Sequence, residues 1–170
     1  MTRRMTPTVD PSLLEPLGQL TVNFNILEQI LAFFVWNLIG PQQIVGQIVT
    51  AGMPFRRIVD LFCSLFRYHF TGPTELTALA DLRKRLEDVE AKRNAFVHSV
   101  WAGAGELGTG TRLKMTARAK RGLEVALVNT RADEIEALAE EMAELAGAVW
   151  DLAAAPLKIE IQAEGSSAGQ

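Results

Sequence analysis

The chain has 170 residues, 48% hydrophobic and 22% charged, and its 17 Lys and Arg stand against 20 Asp and Glu for a formal net charge of −3. This suits one globular domain with a buried core and excludes a protein that coats nucleic acid over its whole surface. A single cysteine, Cys63, excludes an internal disulfide and fits a reducing, cytoplasmic setting; with only two histidines besides, no Cys/His metal site is expected.

Residues 1–11 hold Pro7 and Pro11 and no apolar run, so they read as a flexible lead-in and not as a secretory signal. The first helix is predicted over 12–39, ended by Gly40-Pro41. Residues 17–39 are apolar enough to raise a membrane span, but Glu28 sits near the middle, and a central carboxylate costs roughly 3 kcal/mol in lipid. Between Arg4 and Arg56 there is no Lys or Arg. A helix apolar nearly all round is covered by a core or by a subunit interface. One domain has little room to cover every face of so long a helix, so the expectation is a homodimer formed through it; a core helix in a monomer is the alternative.

A short helix is predicted over 42–50, stopped at Gly52 and Pro54, and another over 55–70 with Phe55, Ile58, Phe62, Leu65 and Phe66 on one side. Cys63 falls in that apolar run and reads as core, and His69 reads as a C-terminal helix cap. Thr71-Gly72-Pro73 is a break, with Thr74 capping a long helix that reaches Trp101. Residues 102–110 read as a Gly-rich loop. The period then switches to two: Leu113, Met115 and Ala117 alternate with Arg112, Lys114, Thr116 and Arg118, and Leu123, Val125 and Leu127 repeat the pattern, which predicts a β-hairpin near residues 111–128. Thr130 and Asp133 resemble a capping box for a last helix over 131–154, stopped by Pro156. The predicted fold is therefore mainly α: a bundle of four to five helices with an inserted hairpin, one domain over 12–156, and a largely disordered tail at 157–170.

The site-like constellation lies on the helix predicted to end at Trp101. With Arg93 at 0° and about 100° per residue, Leu79, Leu82, Leu86, Val89, Val97 and Val100 fall within about 40° of it. Arg93 thus occupies the apolar stripe, where a guanidinium that cannot lose its proton needs carboxylate or carbonyl partners. Asn94 and His98 stand at i and i+4 on the stripe's edge, closed by Trp101. In the first helix, Asn25 and Glu28 belong to a polar strip with Thr21 and Gln29. Facing the Arg93 helix, Glu28 pairs with Arg93 and Asn25 completes the hydrogen bonds; facing water, the strip is a solvated side.

Arg93-Asn94-Ala95-Phe96-Val97-His98 resembles the ribonuclease signature of the HEPN superfamily: Arg, a polar residue, any three residues, then His. The wider phrase from Lys92 to Trp101 is similar to bacterial HEPN-like proteins. The likeness covers the helical part, about residues 12–101 and 131–154, and leaves the hairpin as an insertion. It implies an α-helical domain whose catalytic members pair so that two motifs face one cleft and cut RNA without a metal. On that pattern His98 is the general base or acid, a task that suits an imidazole. Arg93 neutralises charge on the scissile phosphate, Asn94 orients the histidine or a phosphate oxygen, and the products are a 2′,3′-cyclic phosphate and a 5′-hydroxyl. It further implies a toxin or defence component, with an antitoxin or other protein as partner. The superfamily also holds non-catalytic modules that bind a nucleotide, RNA or protein; in such a module Arg93 and His98 are structural.

Two further signals remain. Arg112, Lys114, Arg118 and Lys120 share the parity of one strand face and Arg121 follows, so these five cations either contact a phosphate backbone or form a solvated edge that blocks aggregation. Gly103-Ala104-Gly105-Glu106-Leu107-Gly108 matches the dinucleotide fingerprint formally, but it follows a helix and precedes a strand, the reverse of the required order. No Walker motif, nucleophile elbow or paired-carboxylate arrangement is present, and no cofactor is expected.

Overall fold

Asp10 opens the first element by accepting a hydrogen bond from the Ser12 backbone N–H at 2.9 Å, and Pro11 fills the first helical position, where its missing N–H costs nothing. From there the computed structural model, which describes residues 9–104, 108–118 and 122–159, runs α1 (Pro11–Ile39), α2 (Gln43–Thr50), α3 (Phe55–His69), α4 (Pro73–Val97), β1 (Val100–Ala104), β2 (Thr109–Arg118), β3 (Gly122–Arg131) and α5 (Ala132–Leu157). The mainly helical fold with a β insertion is the one expected, although the lead-in drawn over 1–11 takes in Val9, which packs on the core, Asp10, the cap, and Pro11, already helical.

α1 is the axis of the bundle. Leu13, Leu20, Phe24, Leu27, Leu31, Phe34, Val35 and Leu38 line its buried side, and α5, α3 and α2 pack around it. Each such side chain contributes roughly 1.5–3 kcal/mol when fully buried. Asn23 Nδ2 donates to the Ala139 carbonyl of α5 at 2.8 Å, and His69 Nε2 donates to the Leu38 carbonyl at 2.8 Å. His69 therefore caps α1, not its own helix. α2 lies on Trp36: Gly46 faces the Trp36 Cα, and the indole Nε1 donates to Thr50 Oγ1 at 2.8 Å.

The bundle does not cover all of α1. Val22 keeps 53% of its surface, Leu14 and Ile26 are similarly bare, and the outward side of α2 presents Ile44, Val45, Ile48 and Val49. By length and composition α1 is also long and apolar enough to cross a membrane.

Three corrections concern the insertion and its borders. The helix expected to reach Trp101 ends at Val97, and β1 turns the hairpin into a three-stranded antiparallel sheet of order β1-β2-β3. At the end of α4 the Ala95 carbonyl accepts from Ser99 Oγ at 2.5 Å and from Arg112 Nη1 at 2.7 Å. Neither expected cap forms: α4 starts at Pro73 behind Gly72, and Thr130 is fully buried with its Oγ1 accepting from Arg112 Nε, while Arg131 stands at the N-cap of α5. α5 continues through Pro156 into a left-handed Lys158 at φ 55°, where the N–H groups of Lys158 and Ile159 close the last carbonyls of the helix.

The register Trp101↔Arg112↔Val128 and Gly110↔Thr130 defines the face of the sheet laid on the bundle, where Gly110 meets Leu13 and Trp101. The opposite face carries Val100, Leu113 and Leu127 in one row, with Val125 beside them, and Leu127 is 68% exposed. The apolar face of the strands points outward and the face that bears Arg112 points in.

Candidate functional site

The last two turns of α4 build the site. Its buried stripe is Leu79, Leu82, Leu86 and Val89, and then shifts to Phe96; Val97, expected in the stripe, is exposed, and Arg93 is left half-buried at the margin. The guanidinium lies over the Phe24 ring of α1, with Cζ 4.5 Å from the centroid. Nη1 donates to Asn94 Oδ1 at 3.1 Å, while Nε is buried without a hydrogen-bond partner among the described residues. Such an unmade bond costs roughly 1–3 kcal/mol.

Of the two placements open to Glu28, pairing with Arg93 or facing water, the structure shows a half-buried carboxylate that meets Arg93 only electrostatically. No ion pair joins Glu28 to Arg93 among the described residues, yet the two feel one another. Burial pushes the Glu28 carboxyl above its ordinary range, nearby Arg93 works against that shift, and Glu90 adds to it. Glu90 behaves alike: burial raises it, Arg56 and Arg93 oppose, and Glu87 and Asp60 reinforce. The Arg93 guanidinium thus acts on two half-buried carboxylates without an ion pair to either among the described residues.

Glu90 was not among the residues singled out by sequence. It belongs to a strip in which Arg83, Glu87, Glu90, Asn94 and His98 recur at i, i+4, i+7, i+11 and i+15, one side of a helix. Toward α3 the strip carries real ion pairs: Arg83 to Asp60 at 2.7 Å, Arg83 to Glu87 at 2.9 Å and Arg56 to Glu87 at 3.0 Å. That spacing of charge was the available signal. The strip ends at His98, the C-cap of α4, whose N–H bonds the Asn94 carbonyl at 3.1 Å and whose side chain is exposed.

The other candidates separate. Trp101 is on β1 against Gly110 and does not close the helix edge. Asn25 does not reach Arg93; it is exposed and lines a groove of about 420 Å³ with Val22, Ile26, Gln29, Ile30 and Phe33 of α1 and Trp150 of α5. Arg112 turns inward to Ala95 and Thr130 and stacks over Phe96, 4.7 Å from the centroid, so it is not free on an outer basic face. Lys114 is exposed; the Arg118 side chain, Lys120 and Arg121 lie outside the described residues. Among the described residues no group of three or more His, Cys, Asp or Glu side chains is placed to hold a metal ion. Compared with family models, curated proteins and solved structures, the chain matches none.

Proposed function

We propose that the protein is a metal-independent endoribonuclease of the HEPN type, cytoplasmic, acting as a toxin or defence component held by an antitoxin or other protein. The observation that carries the reading is the exposed imidazole of His98, one turn beyond an Asn94 whose amide holds the half-buried Arg93. An exposed imidazole can reach a ribose hydroxyl or a leaving oxygen. A guanidinium with unused donors can meet a phosphate. Transesterification through the 2′-oxygen leaves a cyclic phosphate and a free 5′-hydroxyl and needs no metal.

The reading includes a second copy. The resemblance has two motifs face one cleft, and within one chain no contact joins Arg93 to His98 among the described residues. The open side of α1 supplies the means: Val22, Ile26, Ile30 and Phe33 are unburied or half-buried in a groove without charged lining. Contiguous apolar surface of this kind marks an interaction site.

The same separation of Arg93 and His98 favours a second reading, a non-catalytic module that binds a nucleotide, RNA or protein, with Arg93 packed on Phe24 for structure alone. Purified protein incubated with RNA in excess chelator, beside His98→Ala and Arg93→Ala, decides between them. Cleavage by the wild type alone supports the enzyme. No cleavage by any of the three, or equal cleavage by all, removes it.

A further inference from the structure

We infer that Arg112 is a positioning residue for the Arg93–His98 turn and not a phosphate contact, an inference that rests on His98 being the group that moves the proton. Three contacts fix its guanidinium: Nη1 donates to the Ala95 carbonyl at 2.7 Å, Nε donates to Thr130 Oγ1 at 2.8 Å, and Cζ lies 4.7 Å from the Phe96 centroid. Thr130 is fully buried and Phe96 is 8% exposed, so both supports belong to the packed interior.

Ala95 is the residue after Asn94 in the motif itself. In a continuous helix its carbonyl accepts the N–H four residues on; here the helix stops, and Ser99 Oγ and the guanidinium take that carbonyl. A cation on the last carbonyls also complements the negative end of the helix dipole. The His98 side chain has no hydrogen bond to any described residue, so its place is set by the backbone it stands on. That backbone is the turn Arg112 clamps. Arg112 sits on β2, which makes the sheet a splint for the end of α4.

Misplacement of a reacting group by about 1 Å costs on the order of 100-fold in rate. Arg112→Gln is therefore expected to lower kcat for RNA cleavage by about 10- to 100-fold with KM unchanged, and Arg112→Lys, which keeps one donor for Ala95, to recover part of it. The second readout does not need activity: by NMR of the full chain, the His98 ring signals shift or broaden in Arg112→Gln, and the His98 amide exchanges at least about tenfold faster as the last turn frays. A raised KM with kcat intact and a salt slope of RNA binding reduced by about 1 is the signature of a phosphate contact and overturns the inference. So do unchanged ring signals and exchange. Where the wild type cuts no RNA, the ribonuclease reading fails, and the NMR comparison still decides what Arg112 does. Should Arg112→Gln fail to fold, Arg112→Lys and Thr130→Val, which removes only the Nε acceptor, carry the same comparison.

Discussion

The Arg93 guanidinium lies over the Phe24 ring, its Cζ 4.5 Å from the centroid, and Phe24 in turn packs on Phe55 at 4.6 Å. α1 therefore holds the motif arginine by an aromatic face, where carboxylate or carbonyl partners were expected. A cation–π contact contributes about 0.5–2 kcal/mol, and the unbonded Nε costs a similar amount. The two offset. Arg93→Met, which keeps the length over Phe24 and removes the orphan donor, is expected to change unfolding free energy by less than about 1 kcal/mol and, on the proposed ribonuclease reading, to abolish RNA cleavage. Urea denaturation measures the first part, and a loss beyond about 3 kcal/mol makes Arg93 a structural tie.

The carboxylates beside it give a signed pH effect. Burial raises Glu28 and Glu90 above their unfolded values. Ionising them is harder in the folded state, so their penalty on stability is absent below the unfolded carboxylate range and fully present above the folded one. Glu90→Gln is therefore expected to be more stable than the wild type at neutral pH, with the difference fading as pH falls through the carboxylate range. Asp133 has the opposite sign: its hydrogen bond with Arg131 holds it low, and that contribution is lost as pH falls through its depressed value. Asp133→Asn should be the less stable chain at neutral pH. Thermal melts of the three proteins across pH test both signs at once.

The two halves of the fold differed in how far the sequence exposed them. Gly40-Pro41, Gly52 to Pro54 and Thr71-Gly72-Pro73 placed the breaks between the first four helices to within a residue or two, because proline and glycine act locally. The end of α4 was hidden, since the group that meets it, Arg112, lies seventeen residues beyond the Ala95 carbonyl it takes. β1 was hidden for a related reason: Ala102-Gly103-Ala104 has little strand propensity of its own and is a strand only because β2 pairs with it. Parity along β2 showed which residues share a face but not which face the bundle covers. In the site, the sequence marked Arg93 as anomalous but set it in the middle of a stripe whose margin it occupies; its aromatic partner was not legible, because the apolar residues of α1 do not say which ring lies opposite.

Two glycines at close contacts give unequal expectations. A Cβ at Gly46 falls 2.7 Å from the Trp36 Cα, which is backbone and cannot step aside. At Gly110 the Cβ falls 2.5 Å from Leu13 Cδ1, the far end of a side chain that can turn. Gly46→Ala should destabilise by about 2–3 kcal/mol and loosen α2 from α1, with a red-shift of Trp36 emission; Gly110→Ala should cost about 1 kcal/mol. Equal losses at the two sites contradict the packing of α2 on Trp36.

The open side of α1 yields the last expectation. Ile26 is 49% exposed, next to Val22, and both line the groove that Phe33 and Trp150 floor with rings stacked 5.9 Å apart. The groove has no charged lining, and a symmetric contact that brings it against its own copy meets no like-charge repulsion. A lysine there would bury an unpaired cation in the proposed dimer but remains solvated in a monomer. Ile26→Lys is thus expected to keep its melting temperature at low protein concentration and to weaken dimerisation by about 30-fold or more, read by sedimentation across a concentration series. If cleavage uses motifs from two copies, activity falls in proportion to the lost dimer although His98 is untouched. A dimer of undiminished strength in Ile26→Lys places the interface elsewhere and leaves this face of α1 to a different partner.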